Sequence, residues 1–96
     1  MEEEEFCIMP KDSMWKTKRF KGSHRHEVFG GANRKLSIED GLVIFLTPKM
    51  HNASNEGIHF NQAFMDYAHS VGQRTWMEYY DKTKEDFIKR YGKSYI

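Results

Sequence analysis

The feature that most constrains the fold is a run of five apolar residues, Leu42-Val43-Ile44-Phe45-Leu46, in the middle of the chain. This run continues into Thr47-Pro48 and predicts the strongest strand of the protein. Upstream, residues 24–29 alternate loosely and end at Gly30-Gly31, which predicts a short strand that meets a turn. The two strands predict a hairpin with a long connection, residues 32–41, that contains one helical turn.

Two helices are predicted after the hairpin. Residues 48–59 are polar and typical of a loop, whereas an apolar stripe beyond them predicts a long helix from about Phe60 to Tyr80. Thr83 is the type of residue that caps a last helix, which would end at Gly92. The predicted fold class is therefore α+β, a β-hairpin followed by a long helix and a short C-terminal helix. The apolar stripe comprises Phe60, Phe64, Ala68, Val71 and Tyr79, with Trp76 beside it, and Phe60, Phe64 and Trp76 are assigned to the core.

Length and composition bound the class of protein. A chain of 96 residues forms one modest core, so a bound metal ion would add substantially to its stability. The single cysteine excludes an intrachain disulfide and an all-cysteine zinc site. No apolar run approaches the roughly 20 residues of a membrane span. The start Met-Glu-Glu-Glu-Glu is unlike a signal peptide, so we expect a soluble protein of the cytoplasm.

Charge is segregated along the chain, although the net charge is only +1. Residues 1–13 carry five acids and one base, which predicts an acidic N-terminal tail ahead of a single domain, residues 14–96. Residues 14–35 carry seven bases and one acid, and this basic stretch either meets a phosphate backbone or forms a solvated loop. The candidate contacts to nucleic acid or a partner are Lys18, Arg19, Asn33, Arg34 and Lys35. For Asn33 the alternative is a role in shaping the loop, and for Arg34 a surface ion pair.

Histidines occur at positions that suit a metal site. His26 lies on the first predicted strand, His51 follows the second strand, and His59 lies where the long helix begins. A β-β-α unit folds such positions toward one point, and neutral imidazoles bind zinc and similar ions at about 2.1 Å. His24 shares a strand face with His26, so a shift of register would exchange the two as ligands. His69 is interpreted as an ordinary exposed or half-buried histidine of the long helix.

Several motifs resemble the phage-type HNH endonuclease family. The resemblance covers roughly residues 24–96, and the Gly-Gly-Ala-Asn-Arg-Lys string at 30–35 is its most specific part. It implies a ββα-metal fold with His26, His51 and His59 as ligands of one divalent ion. Zinc is the first expectation, and Mg²⁺ or Mn²⁺ if the protein is an active nuclease. The motifs are His26-Glu27-Val28-Phe29-Gly30-Gly31-Ala32-Asn33-Arg34-Lys35-Leu36-Ser37, Gly41-Leu42-Val43, Pro48-Lys49-Met50-His51-Asn52, Gly57-Ile58-His59-Phe60-Asn61, Phe87-Ile88 and Tyr91-Gly92-Lys93-Ser94-Tyr95.

The chain departs from the family at the position of the catalytic base. The family typically carries a histidine pair where this chain has His26-Glu27, and the second member of that pair deprotonates the attacking water. A glutamate is a much weaker base than imidazole. If the protein is active, Glu27, or His24 in a shifted register, would activate the water.

A second departure concerns the structural zinc that the family holds near its N-terminus. Of the four ligand positions only Cys7 keeps a ligand, because the others read Pro10, Thr47 and Met50. Since such a site needs four ligands, we expect no zinc there and a small hydrophobic cluster in its place. Its members would be Cys7, Ile8, Met9, Pro10 and Met50.

Three functions are consistent with these features. The missing base beside an intact ligand set favours a catalytically degenerate HNH-like phage protein that binds and inhibits a host nuclease complex. An anti-CRISPR protein that acts on Cas9 is one form of this function. The expected partner is therefore a host nuclease or CRISPR effector, and we expect no membrane partner. The alternative is an active single-metal HNH endonuclease that cleaves DNA, with Arg34 and Lys35 on the backbone. A simple DNA-binding module that uses the basic stretch is the least favoured, because the overall charge is near neutral.

Overall fold

A computed structural model describes residues 6–10, 18–53 and 57–96 of the chain. Of the predicted acidic tail, residues 1–13, only residues 6–10 are described. Residues 14–17 of the basic stretch also lie outside the described residues. Within the described residues the strands and helices are β1 (His24–Glu27), α1 (Arg34–Glu39), β2 (Val43–Leu46), α2 (Gln62–Tyr79) and α3 (Lys84–Tyr91). Single turns of 3-10 helix at Gly31–Asn33 and Ile58–Phe60 and a π-helical turn at Lys49–Ala53 join them. The predicted α+β fold, with its hairpin, long helix and short last helix, is confirmed.

The two strands form an antiparallel hairpin whose register determines which histidine faces the core. His26 lies opposite Ile44, and His24 lies opposite Leu46. Because directly opposed residues share a face of the sheet, both histidines lie on the side of β1 that packs toward the core. Ile44 and Leu46 belong to that core, and every residue of β2 is buried.

The connection between the strands contains more helix than the sequence predicts. One helical turn was expected within residues 32–41, whereas a 3-10 turn leads directly into the six residues of α1. The buried Ser37 closes this connection, because its hydroxyl donates to the carbonyl of Leu42 at 2.6 Å and accepts from the amide of Phe29 at 3.2 Å. The two strand ends are thereby joined through one side chain.

Helix α2 begins at Gln62, later than predicted. The side chain of Asn61 caps it by accepting a hydrogen bond from the amide of Phe64 at 3.0 Å. Of the predicted stripe, Phe64, Ala68 and Trp76 are buried and Val71 is partly buried. Tyr79 is 58 % exposed, so the buried face of the helix does not extend to the last residue of the stripe. The backbone of Phe60 lies ahead of the helix in the 3-10 turn, and its side chain lies outside the described residues.

Helix α3 has the predicted ends. Thr83 and Asp86 form a reciprocal capping box at its start, and Gly92 ends it with a φ of 96°. Phe87 and Tyr91 are buried, whereas Ile88 is 38 % exposed. The local signals of a cap, an apolar face and a terminal glycine are therefore sufficient for this helix.

A buried carboxylate joins the three helices. Asp40, at the end of α1, accepts hydrogen bonds from the indole of Trp76 at 2.9 Å and the phenol of Tyr91 at 2.7 Å. Arg90 donates to both carboxylate oxygens, at 2.6 and 2.8 Å. The sequence indicated only a turn at this position, so the role of Asp40 as an interhelical acceptor was missed.

Helix α2 lies directly against the end of β1. A Cβ atom at Gly72 would lie 2.8 Å from a methyl group of Val28 and 3.2 Å from the ring of Phe29. The approach is closer than any side chain at residue 72 permits without movement of its neighbours. Gly72 therefore sets the distance between this helix and the hairpin.

The N-terminal segment packs on the hairpin as a hydrophobic cluster. Met9 is buried in the core, and Cys7, Ile8 and Met50 pack against it. The thiol of Cys7 donates to the carbonyl of Val43 at 2.7 Å, and burial raises the pKa of this thiol. Pro10 is exposed and does not belong to the core, contrary to the prediction.

No helix in the described part of the chain is both long enough and apolar enough to cross a membrane.

Candidate metal centre

Three histidines from separate elements meet at one point. His26 comes from β1, His51 from the π-helical turn after β2, and His59 from the 3-10 turn before α2. One ring nitrogen of each lies within 4.8 Å of the others, and the Nε2 atoms of His51 and His59 are 2.9 Å apart. The predicted convergence of these three imidazoles is confirmed. They lie close enough to hold one metal ion.

The chemistry of the donor atoms fits a divalent ion. The Nε2 atom of His26 is buried and has no hydrogen-bond partner among the described residues. A buried polar atom without a partner is costly, and a metal ion would satisfy it. With metal–nitrogen bonds of about 2.1 Å in a tetrahedral site, two ligand nitrogens lie about 3.4 Å apart, so the 2.9 Å between His51 and His59 requires only a small separation of the two rings.

The protonation states also suit metal binding. Burial, together with the neighbouring His59 and His51, lowers the pKa of His26 to about 3. Burial and the nearby His59 and His24 also lower the pKa of His51. His26 is therefore neutral at pH 7, and the same shift favours neutral His51. A neutral imidazole offers the lone pair that a metal ion requires.

His24 contacts the cluster from outside. The observed register places His26, not His24, in the group of three, so the shifted register is not found. Instead, the Nδ1 atom of His24 lies 3.2 Å from the Nδ1 atom of His51. Since the Nε2 atom of His51 faces the cluster, this hydrogen bond fixes the orientation of the ring, as outer partners of metal-binding histidines do.

Glu27, the residue at the family's base position, is held by two arginines. Its carboxylate accepts a hydrogen bond from Arg34 and another from Arg25 at 3.2 Å. The Glu27 side chain is only 11 % exposed. Both carboxylate oxygens therefore have guanidinium partners, and neither is placed as an unpaired proton acceptor.

The cluster lies on the wall of a pocket of about 810 Å³. Three arginines, Arg19, Arg25 and Arg34, also line this pocket, and its lining includes one acidic residue, Glu27. The balance of charge is therefore positive beside the three imidazoles. Such a surface attracts anionic ligands, and phosphate groups match the fork of an arginine.

The structure separates the predicted contact residues into two groups. Arg19 and Arg34 line the pocket, whereas Lys18 and Lys35 are exposed and are not part of its wall. The side chain of Asn33 donates to the carbonyl of Tyr91 at 2.8 Å, so it joins its loop to the end of α3. Of the two alternatives for Asn33, this contact agrees with the role in shaping the loop.

One residue of the pocket was missed by the sequence analysis. His69, on α2, lines the same pocket as the cluster, together with Met65 one turn earlier. Its ring is half-buried and stacks on Phe29, with ring centroids 5.3 Å apart and an interplanar angle of 15°. The spacing of four residues between Met65 and His69 marks one helix face, but the sequence gives no sign that this face borders the pocket.

Comparisons with protein-family models, with curated proteins and with solved structures find no match for this chain.

Proposed function

We propose that this protein is a single-metal phosphodiesterase that cleaves DNA, like the HNH endonucleases that it resembles. The observation that supports this most strongly is the position of three histidines on the wall of an arginine-lined pocket. Three protein ligands leave coordination positions for water and substrate. The arginines then provide the charge that a phosphodiester needs.

Each group at the site has a distinct role under this proposal. His26, His51 and His59 would hold the ion, and His24 would orient the ring of His51. When bound, the ion would stabilise the negative charge that develops on the phosphate and favour deprotonation of water. A set of three imidazoles favours zinc or a similar transition ion over Mg²⁺, which prefers oxygen ligands.

Arg34 positions the phosphate in this mechanism. Its side chain is 63 % exposed, lies at the pocket, and is anchored by the carboxylate of Glu27. This ion pair uses the Nε–H group, so the terminal N–H groups of the exposed guanidinium would contact the phosphate. Glu27 then acts as a support for arginine, not as a base.

The experiment is a cleavage assay on protein that has been stripped with a chelator and reloaded with Zn²⁺, Mn²⁺, Ni²⁺ or Mg²⁺. We expect nicking of supercoiled plasmid with at least one ion and loss of nicking in His51→Ala. Arg34→Gln should lower kcat/KM by about tenfold or more, since charge-assisted hydrogen bonds contribute about 1.5–3 kcal/mol. Lys35→Gln is the matched control, because this neighbouring exposed base is not part of the pocket wall. If the protein binds its ion and cuts neither plasmid nor oligonucleotides, the proposal is wrong.

A second candidate is favoured by the arginine partners of Glu27. Because no unpaired carboxylate stands at the family's base position, the domain suits a catalytically degenerate phage protein whose ion serves stability. Such a protein would bind a host nuclease complex in the cytoplasm and block it, for example a CRISPR effector such as Cas9. The test adds the purified protein to Cas9 with guide RNA and target DNA. Inhibition of cleavage at micromolar protein would support this candidate, and the absence of both complex and inhibition would exclude Cas9 as the partner.

A further inference from the structure

The imidazole of His69 is held in one orientation at the pocket. Phe29 stacks on one side of the ring, and the ring of Tyr95 lies 4.7 Å away between centroids. The main chain of Val28 also raises the pKa of His69, which is the direction expected when a backbone carbonyl faces an imidazole N–H. Val28 follows the ligand His26 by two residues, so the anchor of His69 lies next to the metal centre.

The carbonyl of Val28 engages one of the two ring nitrogens of His69. A neutral imidazole has one N–H donor and one nitrogen with a lone pair. Since the N–H is used by the carbonyl of Val28, the second nitrogen of His69 is a proton acceptor. Among the described residues, no side chain donates a hydrogen bond to that nitrogen.

The other candidate bases at the site already have partners. The oxygens of Glu27 accept from Arg25 and Arg34, and His24 is hydrogen-bonded to His51. His69 is the remaining imidazole on the pocket wall outside the cluster of ligands.

The surroundings of His69 favour its neutral form. Burial lowers the pKa of the ring, and Lys93 acts in the same direction. Asp66 and the carbonyl of Val28 oppose this shift. A neutral imidazole beside a pocket has the protonation state that a general base needs.

We propose that His69 is the general base of this site and takes a proton from the water that attacks the phosphodiester. This inference rests on the proposed phosphodiesterase function. In the step, an O–H bond of water breaks, its proton moves to the bare nitrogen of His69, and the water oxygen forms a bond to phosphorus. The bond from phosphorus to the leaving oxygen breaks, and that oxygen keeps the electron pair and takes a proton from solvent. His69 then returns its proton to solvent, and the carbonyl of Val28 stabilises the transient imidazolium.

The principal test is His69→Phe, which keeps an aromatic ring against Phe29 and removes both nitrogens. We expect kcat to fall by about 100-fold or more, because a positioned base contributes about 10²–10⁴-fold. KM and the affinity for Co²⁺, followed by visible absorption, should change by less than about twofold, because the substitution leaves the three ligands in place. Ser70→Ala is the matched control and should keep normal kcat, because Ser70 follows His69 on α2, is not part of the pocket wall, and donates only to the carbonyl of Tyr67 in the same helix. In His69→Ala, added imidazole should restore part of the lost rate.

A second readout does not depend on cleavage. Long-range ¹H–¹⁵N spectra of the metal-free protein, labelled on histidine, should show His69 with one protonated and one bare nitrogen at pH 7. A ring that is doubly protonated at pH 7 would overturn the proposal.

The possible failures are distinguishable. If the wild-type protein cleaves DNA and His69→Phe cleaves it equally well, His69 is not the base, and the proposed function stands. If the metal-loaded wild-type protein cleaves nothing, both the proposed function and the role of His69 are wrong.

Discussion

Replacing the buried carboxylate of Asp40 should destabilise the whole domain. One of its oxygens accepts from Trp76, Tyr91 and Arg90, and the other accepts from Arg90 alone. In Asp40→Asn, an amide oxygen at the first position places the NH₂ group against the guanidinium of Arg90, donor against donor. The variant therefore loses one hydrogen bond and the charge that strengthens the other three.

The magnitude follows from burial. Breaking a buried ion pair costs about 3–5 kcal/mol, but the Arg90 side chain is 35 % exposed, and water compensates part of its charge. We therefore expect a loss of roughly 2–4 kcal/mol, a substantial share of the about 5–15 kcal/mol that a folded domain typically has. At about 4–8 °C per kcal/mol, Tm should fall by roughly 10–25 °C.

The measurement is thermal and urea unfolding followed by far-UV circular dichroism, at one fixed metal condition. Glu39→Gln is the matched control, because Glu39 contacts the same Arg90 at 3.3 Å and its side chain is 49 % exposed. An exposed pair contributes about 0–1 kcal/mol, so this control should barely change Tm. If Asp40→Asn costs no more than Glu39→Gln, the carboxylate is not the interhelical acceptor described above.

Three further predictions concern the metal centre and the packing of α2. Zinc at about 100 times its Kd should stabilise the protein by about 2.7 kcal/mol, seen as a rise in Tm that is absent in His51→Ala. Metal-free protein should lose stability as pH falls from 6.5 toward 3, because His26 takes up its proton at a higher pH in the unfolded state than in the folded state. At pH 4 the free energy of unfolding should be lower by roughly 3 kcal/mol. Urea titrations at several pH values test this, and His26→Gln should flatten the dependence. Gly72→Ala should destabilise by about 1–3 kcal/mol in urea unfolding although alanine favours helix, whereas Ser70→Ala in the same helix should be nearly neutral.

Local signals in the sequence were sufficient for the hairpin strands and the last helix, but not for the length of α1. The apolar run at 42–46 predicted β2, and Thr83 with Gly92 predicted both ends of α3. The role of Asp40 could not be predicted in this way, since its partners Trp76 and Arg90 are 36 and 50 residues away. A carboxylate before a glycine reads as a turn unless the packing of the helices is known.

The candidate site could also be predicted only in part from the sequence. The three ligand histidines follow from their positions around a β-β-α unit and from the resemblance to the HNH family. The partners of Glu27 and the position of His69 depend on side-chain direction and on the crossing of α2 over β1. Neither has a spacing that distinguishes it from an ordinary surface pair or helix residue.

The missing side chain at residue 72 has a consequence for reactivity. Gly72 follows His69 by three residues, so both lie on the face of α2 that meets Val28 and Phe29. A methyl group at residue 72 would push α2 away from Val28 and Phe29, and the imidazole of His69 would move away from the main chain of Val28. The ligands on the hairpin side would keep their places. Under the proposed function, a single carbon on α2 would thus lower the rate of cleavage while the three histidines kept their affinity for the ion.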